Sequence, residues 1–68
     1  MNAAELGRAV QSRRKALGLG QDELAELAQV SPRFIRDLEH GKPTARFDKI
    51  QAVLEALGLK IDVRVRRP

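Results

Sequence analysis

The sequence predicts a mainly α-helical chain of four short helices closed by one C-terminal β-strand. Three observations predict it. Apolar residues recur at the helical i, i+3, i+4 spacing, glycines and capping residues punctuate these runs, and the final stretch LKIDVRVRR switches to strict alternation. The organising segment is Gln21 to His40, QDELAELAQVSPRFIRDLEH, which reads as two short helices joined by a tight turn.

The first helix runs from about Ala3 to Leu17. Asn2 with Glu5 three residues later resembles a capping box, and Leu6, Val10 and Leu17 mark the apolar stripe. Gly18 ends it, because glycine tolerates the left-handed conformation of a helix stop, and Arg13, Arg14 and Lys15 suit the negative end of the dipole. By position alone these three cations are a solvated helix end. The second helix starts after Gly20, with Asp22, Glu23 and Glu26 near its positive end and Leu24, Leu27 and Ala28 on its inner face. Gln29 falls where the chain must turn sharply, so modest left-handed strain is expected there.

Ser31 and Pro32 open the third helix: the hydroxyl can accept from a free backbone N–H, and proline at the first position sacrifices no hydrogen bond. Ile35 and Leu38 face inward, and Gly41 stops the helix after His40. Pro43 and Thr44 form the next start signal, with Thr44 as N-cap, and Phe47, Ile50, Val53, Leu54 and Leu57 supply the apolar face of a fourth helix ending at Gly58. Beyond it, Leu59, Ile61, Val63 and Val65 alternate with Lys60, Asp62, Arg64 and Arg66, the period of a strand with one buried face.

Every other segment reads as helix, so this strand has no partner within the chain, and an unpaired edge is a template for another copy. A two-fold homodimer is therefore expected, its interface formed by Leu57, Leu59, Ile61, Val63 and Val65 against the fourth helix. The alternative is a frayed tail. The domain organisation expected is a helical domain over 1–58 followed by a dimerisation strand and basic tail over 59–68.

Sixty-eight residues make one domain, and a core this small rarely supplies more than ~3–5 kcal/mol. With no cysteine, neither disulfides nor thiolate zinc sites can add to it, which again favours an oligomer. No apolar run approaches ~18 residues and no basic-then-apolar leader opens the chain, so a cytoplasmic protein without membrane contact is expected. Thirteen Lys and Arg against nine Asp and Glu make a polyanionic partner plausible. Phe34 and Phe47 are the sole aromatics, too few for a base-stacking single-strand binder, and duplex DNA fits better. The single histidine, His40, has no nucleophile or carboxylate set of catalytic spacing beside it, and neither a phosphate-cradling glycine loop nor a metal-ligand cluster is present. No enzyme, cofactor or metal is expected.

The order of four helices, with a Gln opening the second and Ser-Pro opening the third, resembles the lambda-repressor-like helix-turn-helix domains of phage and bacterial repressors. The resemblance covers Leu6 to Leu59 and is carried by Arg14, Gln21, Leu24, Ala25, Ala28, Val30, Ile35, Leu38, Glu39 and Gly41. Gln29 stands where the family has its turn glycine, and Gly20 where it has a Ser or Thr cap. Ala25 fits the close crossing of the two helices. The resemblance implies that the third helix enters the major groove of duplex DNA with its N-terminal residues at the base edges.

Helical spacing puts Pro32, Arg33, Arg36 and Asp37 on the outward face of that helix, and these are the base-reading candidates. Arg33 leads, because a guanidinium can donate two parallel hydrogen bonds to guanine O6 and N7. Asp37, one turn on, has two readings: it accepts from cytosine N4, or it pairs with Arg33 and orients it. Arg36 reads as a base contact, a phosphate contact or a solvated cation. Phe34 covers the core edge or touches a thymine methyl. Gln21, Ser31, Lys42 and Arg46 are the phosphate candidates, Gln21 by its likeness to the family residue that anchors the second helix. The family pattern also implies that Arg14 and Glu39 form an internal ion pair.

A four-helix domain followed by one alternating strand resembles most the HipB-type antitoxins, to which SPRFIRDLEHGKPTARFDKIQAVLEALGLKIDV is similar. That resemblance implies a homodimer bound to a palindromic operator, repressing its own operon in the cytoplasm at the nucleoid, and neutralising a HipA-like kinase toxin. A plain repressor without a toxin, and a protein-interaction adaptor on the same fold, are the other readings.

Overall fold

The computed structural model describes residues 1–66 and holds four helices, α1 (Ala3–Ala16), α2 (Gln21–Ala28), α3 (Pro32–Glu39) and α4 (Phe47–Ala56). Their apolar faces meet in one core of Val10, Leu24, Ala25, Ala28, Ile35, Leu38, Val53, Leu54 and Leu57. Each large aliphatic side chain buried there contributes about 1.5–3 kcal/mol of transfer free energy. α2 lies between the other elements and packs on both α3 and α4, while α1 packs on α3.

Local signals set most of the boundaries. Asn2 Oδ1 accepts from the Glu5 N–H at 2.8 Å, opening α1. At its far end Gly18 takes φ +70° and the Leu19 N–H donates to the Arg14 carbonyl, closing the helix with a left-handed residue. Gln29 is the sole non-glycine residue with positive φ among the described residues, at φ 57° and ψ 44°. Left-handed conformation at a glutamine is mildly strained, and it lets the Val30 N–H reach the Ala25 carbonyl at 3.0 Å, turning the chain from α2 into α3.

One close approach has no counterpart in the pattern of apolar residues. Gly7 is buried where α1 crosses the C-terminal end of α3, and a Cβ there would fall on the Leu38 carbonyl oxygen and 2.8 Å from that of Glu39. Only glycine lets the two backbones lie so near.

Several expectations are corrected. α4 begins at Phe47 rather than after Thr44. Residues 43–44 are used in a turn of their own, and the N-cap is Arg46, without a side-chain capping bond. Phe47, the first residue of α4, is 62 % exposed instead of lying on the buried face. Leu27 and Leu17 are exposed as well, and from α2 it is Leu24, Ala25 and Ala28 that enter the core. Leu57 is removed from the dimer interface: it is 1 % exposed, and the core of its own chain surrounds it. Arg13, expected in solvent, donates from Nε to the Leu57 carbonyl at 2.9 Å and ties the end of α4 to α1.

Leu59 still belongs partly to the helical body, half-buried and donating its N–H to the Leu54 carbonyl at 2.8 Å. After it the chain leaves the core. No strand forms among the described residues, since a strand needs a ladder partner and all other elements here are helices. Arg67 and Pro68, the end of the expected 59–68 tail, lie outside the described residues.

Candidate nucleic-acid interface

The outward face of α3 follows from how the helix is seated. Ile35 and Leu38 sink into the core at 0 % and 2 % exposure, and this rotates Pro32, Arg33 and Arg36 to the outside. Ser31 Oγ accepts from the Phe34 N–H at 3.0 Å, fixing where the helix starts. Arg33 then projects from the first turn with its side chain 81 % exposed.

The other end of α3 is held by an internal polar network. Arg14 donates from Nε and Nη2 to the two oxygens of Glu39, at 2.6 and 2.9 Å, and from Nη1 to the Leu19 carbonyl at 2.9 Å. Gln21 Nε2 adds a bond to Glu39 Oε1 at 3.1 Å. The Glu39 side chain is 1 % exposed and that of Arg14 9 %. Burial pushes the Glu39 carboxyl up, but the hydrogen bonds from Arg14 and Gln21, with the charges of Arg14 and Lys15, outweigh it and leave it below its ordinary value. The Arg14 guanidinium is correspondingly raised, chiefly by its hydrogen bond to Glu39. Three elements, α1, α2 and α3, are thus joined through one carboxylate.

Outside, the charges are loosely arranged. Asp37 Oδ2 lies 4.0 Å from Arg33 Nε, the i, i+4 neighbour, and 3.5 Å from Lys42 Nζ. Asp37, Lys42 and Arg46 line a shallow depression of about 170 Å³ with Phe34 and Lys49, where α3 meets the loop leading to α4. Lys49 Nζ stands 5.8 Å from the centre of the Phe34 ring, within cation–π range. Arg46 makes a fork of two bonds to Asp48, at 3.1 and 2.7 Å, and that contact lowers the Asp48 carboxyl from its ordinary value.

A family model described as helix-turn-helix matches residues 10–63, which span α2, the left-handed turn at Gln29 and α3. The chain belongs to the helix-turn-helix family, in its lambda-repressor-like branch. It is 52 % identical over 60 residues to an uncharacterized HTH-type transcriptional regulator, y4mF, of Sinorhizobium fredii (strain NBRC 101917 / NGR234), a match covering 88 % of this chain and 79 % of that one. Among solved structures it is similar to the clp gene regulator ClgR from C. glutamicum, with a TM-score of 0.77 and 34 % identity over 87 % of this chain and 76 % of that one. This helix-turn-helix protein is accordingly DNA-binding and of the transcription-regulator class. None of its described helices is long and apolar enough to cross a membrane.

In the helix-turn-helix frame α2 is the supporting helix and α3 the one presented to DNA. The structure brings Arg33, Asp37, Lys42 and Arg46 to one side, and leaves Arg36 exposed on the same helix. Gln21 stands apart from that depression, with one amide hydrogen committed to Glu39. Phe34 is half-buried against the core, the first of its two readings. Sequence reasoning missed Lys49, which joins Lys42 and Arg46 at the depression. The signal available was cations recurring across the start of α4, but only the fold shows that they converge.

Proposed function

We propose that this helix-turn-helix protein is a dimeric transcriptional repressor that reads a palindromic duplex operator with α3. The observation that carries the reading is Arg33, exposed at the first turn of a helix whose inner face and far end are both immobilised. A guanidinium held there can donate two parallel bonds to guanine O6 and N7, and Asp37, at its i, i+4 position, orients it. Pro32 and Arg36 complete the base-facing row. Lys42 and Arg46, with Ser31 and Gln21, bind the phosphates on either side and set the register. The homodimer forms through Leu59, Ile61, Val63 and Val65, and the two copies of α3 then face half-sites about one helical turn, or a multiple, apart.

Duplex binding measured over a salt series tests this. A dimer making ~6–10 phosphate contacts loses about 10³–10⁵ in affinity between 50 and 200 mM salt. A flat response would sink the DNA-reading function and favour the adaptor, for which a hollow of about 320 Å³ lined by Leu19, Glu23, Glu26 and the exposed Leu27 supplies a docking face.

Resemblance to the HipB-type antitoxins supports a second role, neutralisation of a HipA-like kinase toxin encoded beside it. Growth arrest by such a kinase should be relieved when this chain is co-expressed. Absence of relief removes the antitoxin role and leaves the repressor standing.

A further inference from the structure

We propose that the segment after α4 pairs with a second copy of itself in one register only, antiparallel about a two-fold axis through Val63. The inference rests on the dimeric reading above and specifies its geometry. Val63 and Val65 are 90 % and 95 % exposed, Ile61 44 %, and the chain's own core offers them no place. Two hollows of about 260 and 360 Å³ flank the segment. Phe47 lines the first and Leu6 the second, with Leu54, Leu59 and Ile61 in both. Such an apolar edge is completed by a strand of the same kind.

Symmetry restricts how two identical strands can meet. In an antiparallel pair about a two-fold axis, the numbers of facing residues have a constant sum, and facing residues share one side of the sheet. An axis between two residues sets each apolar position opposite a charged one and is excluded. An axis on Asp62 or Arg64 sets that residue opposite its own copy, a like-charge contact. An axis on Ile61 matches Lys60 with Asp62 but must draw on Leu59, half-buried with its N–H held by the Leu54 carbonyl. It must then draw on Leu57, 1 % exposed with its carbonyl held by Arg13, so that Val65 is left without an available partner. An axis on Val65 sets Val63 opposite Arg67.

An axis on Val63 pairs the whole exposed stretch from Lys60 to Arg66, and only beyond that stretch does Leu59 fall opposite Arg67. Val63 meets its copy, Ile61 meets Val65 of the second copy, and Asp62 meets Arg64 on both sides of the axis. Only Lys60 against Arg66, at the rim and in solvent, is a like pair. Asp62 and Arg64 already lie 2.7 Å apart within one chain, on the charged side of the segment. Pairing in this register merges two such ion pairs into a cluster of four alternating charges, while the valines close over the Phe47 hollow. The charged side thus selects the register that the apolar side leaves open.

Cysteine cross-linking of the full-length chain tests the register, because the protein has no cysteine of its own. Facing Cα atoms in an antiparallel pair are ~4.5–5.5 Å apart, within disulfide range. Under mild oxidation Val63→Cys should give a covalent dimer with itself, whereas Ile61→Cys and Val65→Cys should each stay single and cross-link only when mixed. Self-linking of Ile61→Cys without Val63→Cys would overturn the register while keeping the dimer. A parent that sediments as a monomer would overturn the dimeric reading itself. Charge exchange supplies an independent arm. Asp62→Arg alone and Arg64→Asp alone should be monomeric, and an equimolar mixture should restore the dimer, since each chain then opposes two arginines to two aspartates. Single variants that dimerise as well as the parent would remove the charge selection.

Discussion

Glu39 and Asp37 stand two residues apart on α3 and have opposite surroundings. Glu39 is closed off from water and held by three donors from Arg14 and Gln21, whereas the Asp37 side chain is 36 % exposed and faces Arg33 and Lys42 at 4.0 and 3.5 Å. The first is a frame and the second a surface. A reading helix needs both: its backbone must not shift, so that a displaced side chain does not spoil the base contact, while its outward charges must remain free to exchange their protein partners for DNA. Desolvation makes the inner pair dependent on both members, and solvent screening makes the outer ones individually dispensable to the fold.

The largest break in this comparison comes from Arg14→Ala, which strands the buried Glu39 carboxylate. Loss of about 3–5 kcal/mol is expected, read as a large fall in Tm by circular dichroism. Arg14→Met with Glu39→Leu should recover much of it, because an apolar pair avoids desolvating two charges. The pH dependence should also change sign. In the parent, Glu39 lies below its ordinary value, so its stabilisation is full above the usual glutamate range near pH ~4.3 and is lost as pH falls through the folded value. In Arg14→Ala burial acts with its chief opponent gone, the carboxyl rises, and acidification through that range should favour the folded state. Thermal melts of both chains from pH 7 downward decide it. Parallel curves would mean that the pair does not govern the acid limb.

Gly7→Ala probes the same frame through packing alone. The added methyl meets carbonyl oxygens at the end of α3, and about 1–3 kcal/mol of stability should be lost. An unchanged Tm would show that α1 and α3 can separate without penalty.

On the surface the sign of interest moves from folding to binding. Arg33→Ala should alter stability by no more than about 0.5 kcal/mol. It should weaken operator binding by about 1–3 kcal/mol and relax preference at one position per half-site, measured by titration against a panel of single-base variants. Uniform loss over the panel would reassign Arg33 to phosphate. The smallest change expected is from Asp48→Asn: with its fork to Asp48 weakened and a negative charge removed, Arg46 should bind phosphate more readily. Duplex affinity should then rise a few-fold with stability unchanged, and weaker binding would exclude Arg46 from the phosphate set.

The four helices were legible because their stops are local. Gly18, Gly41 and Gly58 all take positive φ, and Asn2 and Ser31 both cap as their positions suggest. Errors arose where one local signal competed with packing. Pro43 and Thr44 carry helix-start chemistry but serve a turn, and Phe47 and Leu27 fit an apolar period yet face water. Arg13 and Arg14 are adjacent cations in the last turn of α1, equivalent by the dipole rule, and the fold separates them completely. Arg14 enters the interior to meet Glu39, and Arg13 reaches across to α4. Family resemblance distinguished Arg14 from its neighbour; spacing did not.

By itself the sequence determined what short-range forces determine: the helix count, the left-handed turn at Gln29, the inward rotation of α3 and hence the outward row from Pro32 to Asp37. Tertiary structure decided the rest, because Leu57, Gly7 and Arg13 acquire their roles only from residues 31 to 44 positions away in the chain. Contacts at that separation carry no periodicity for a one-dimensional reading to detect, and they form only once the core has brought the helices together.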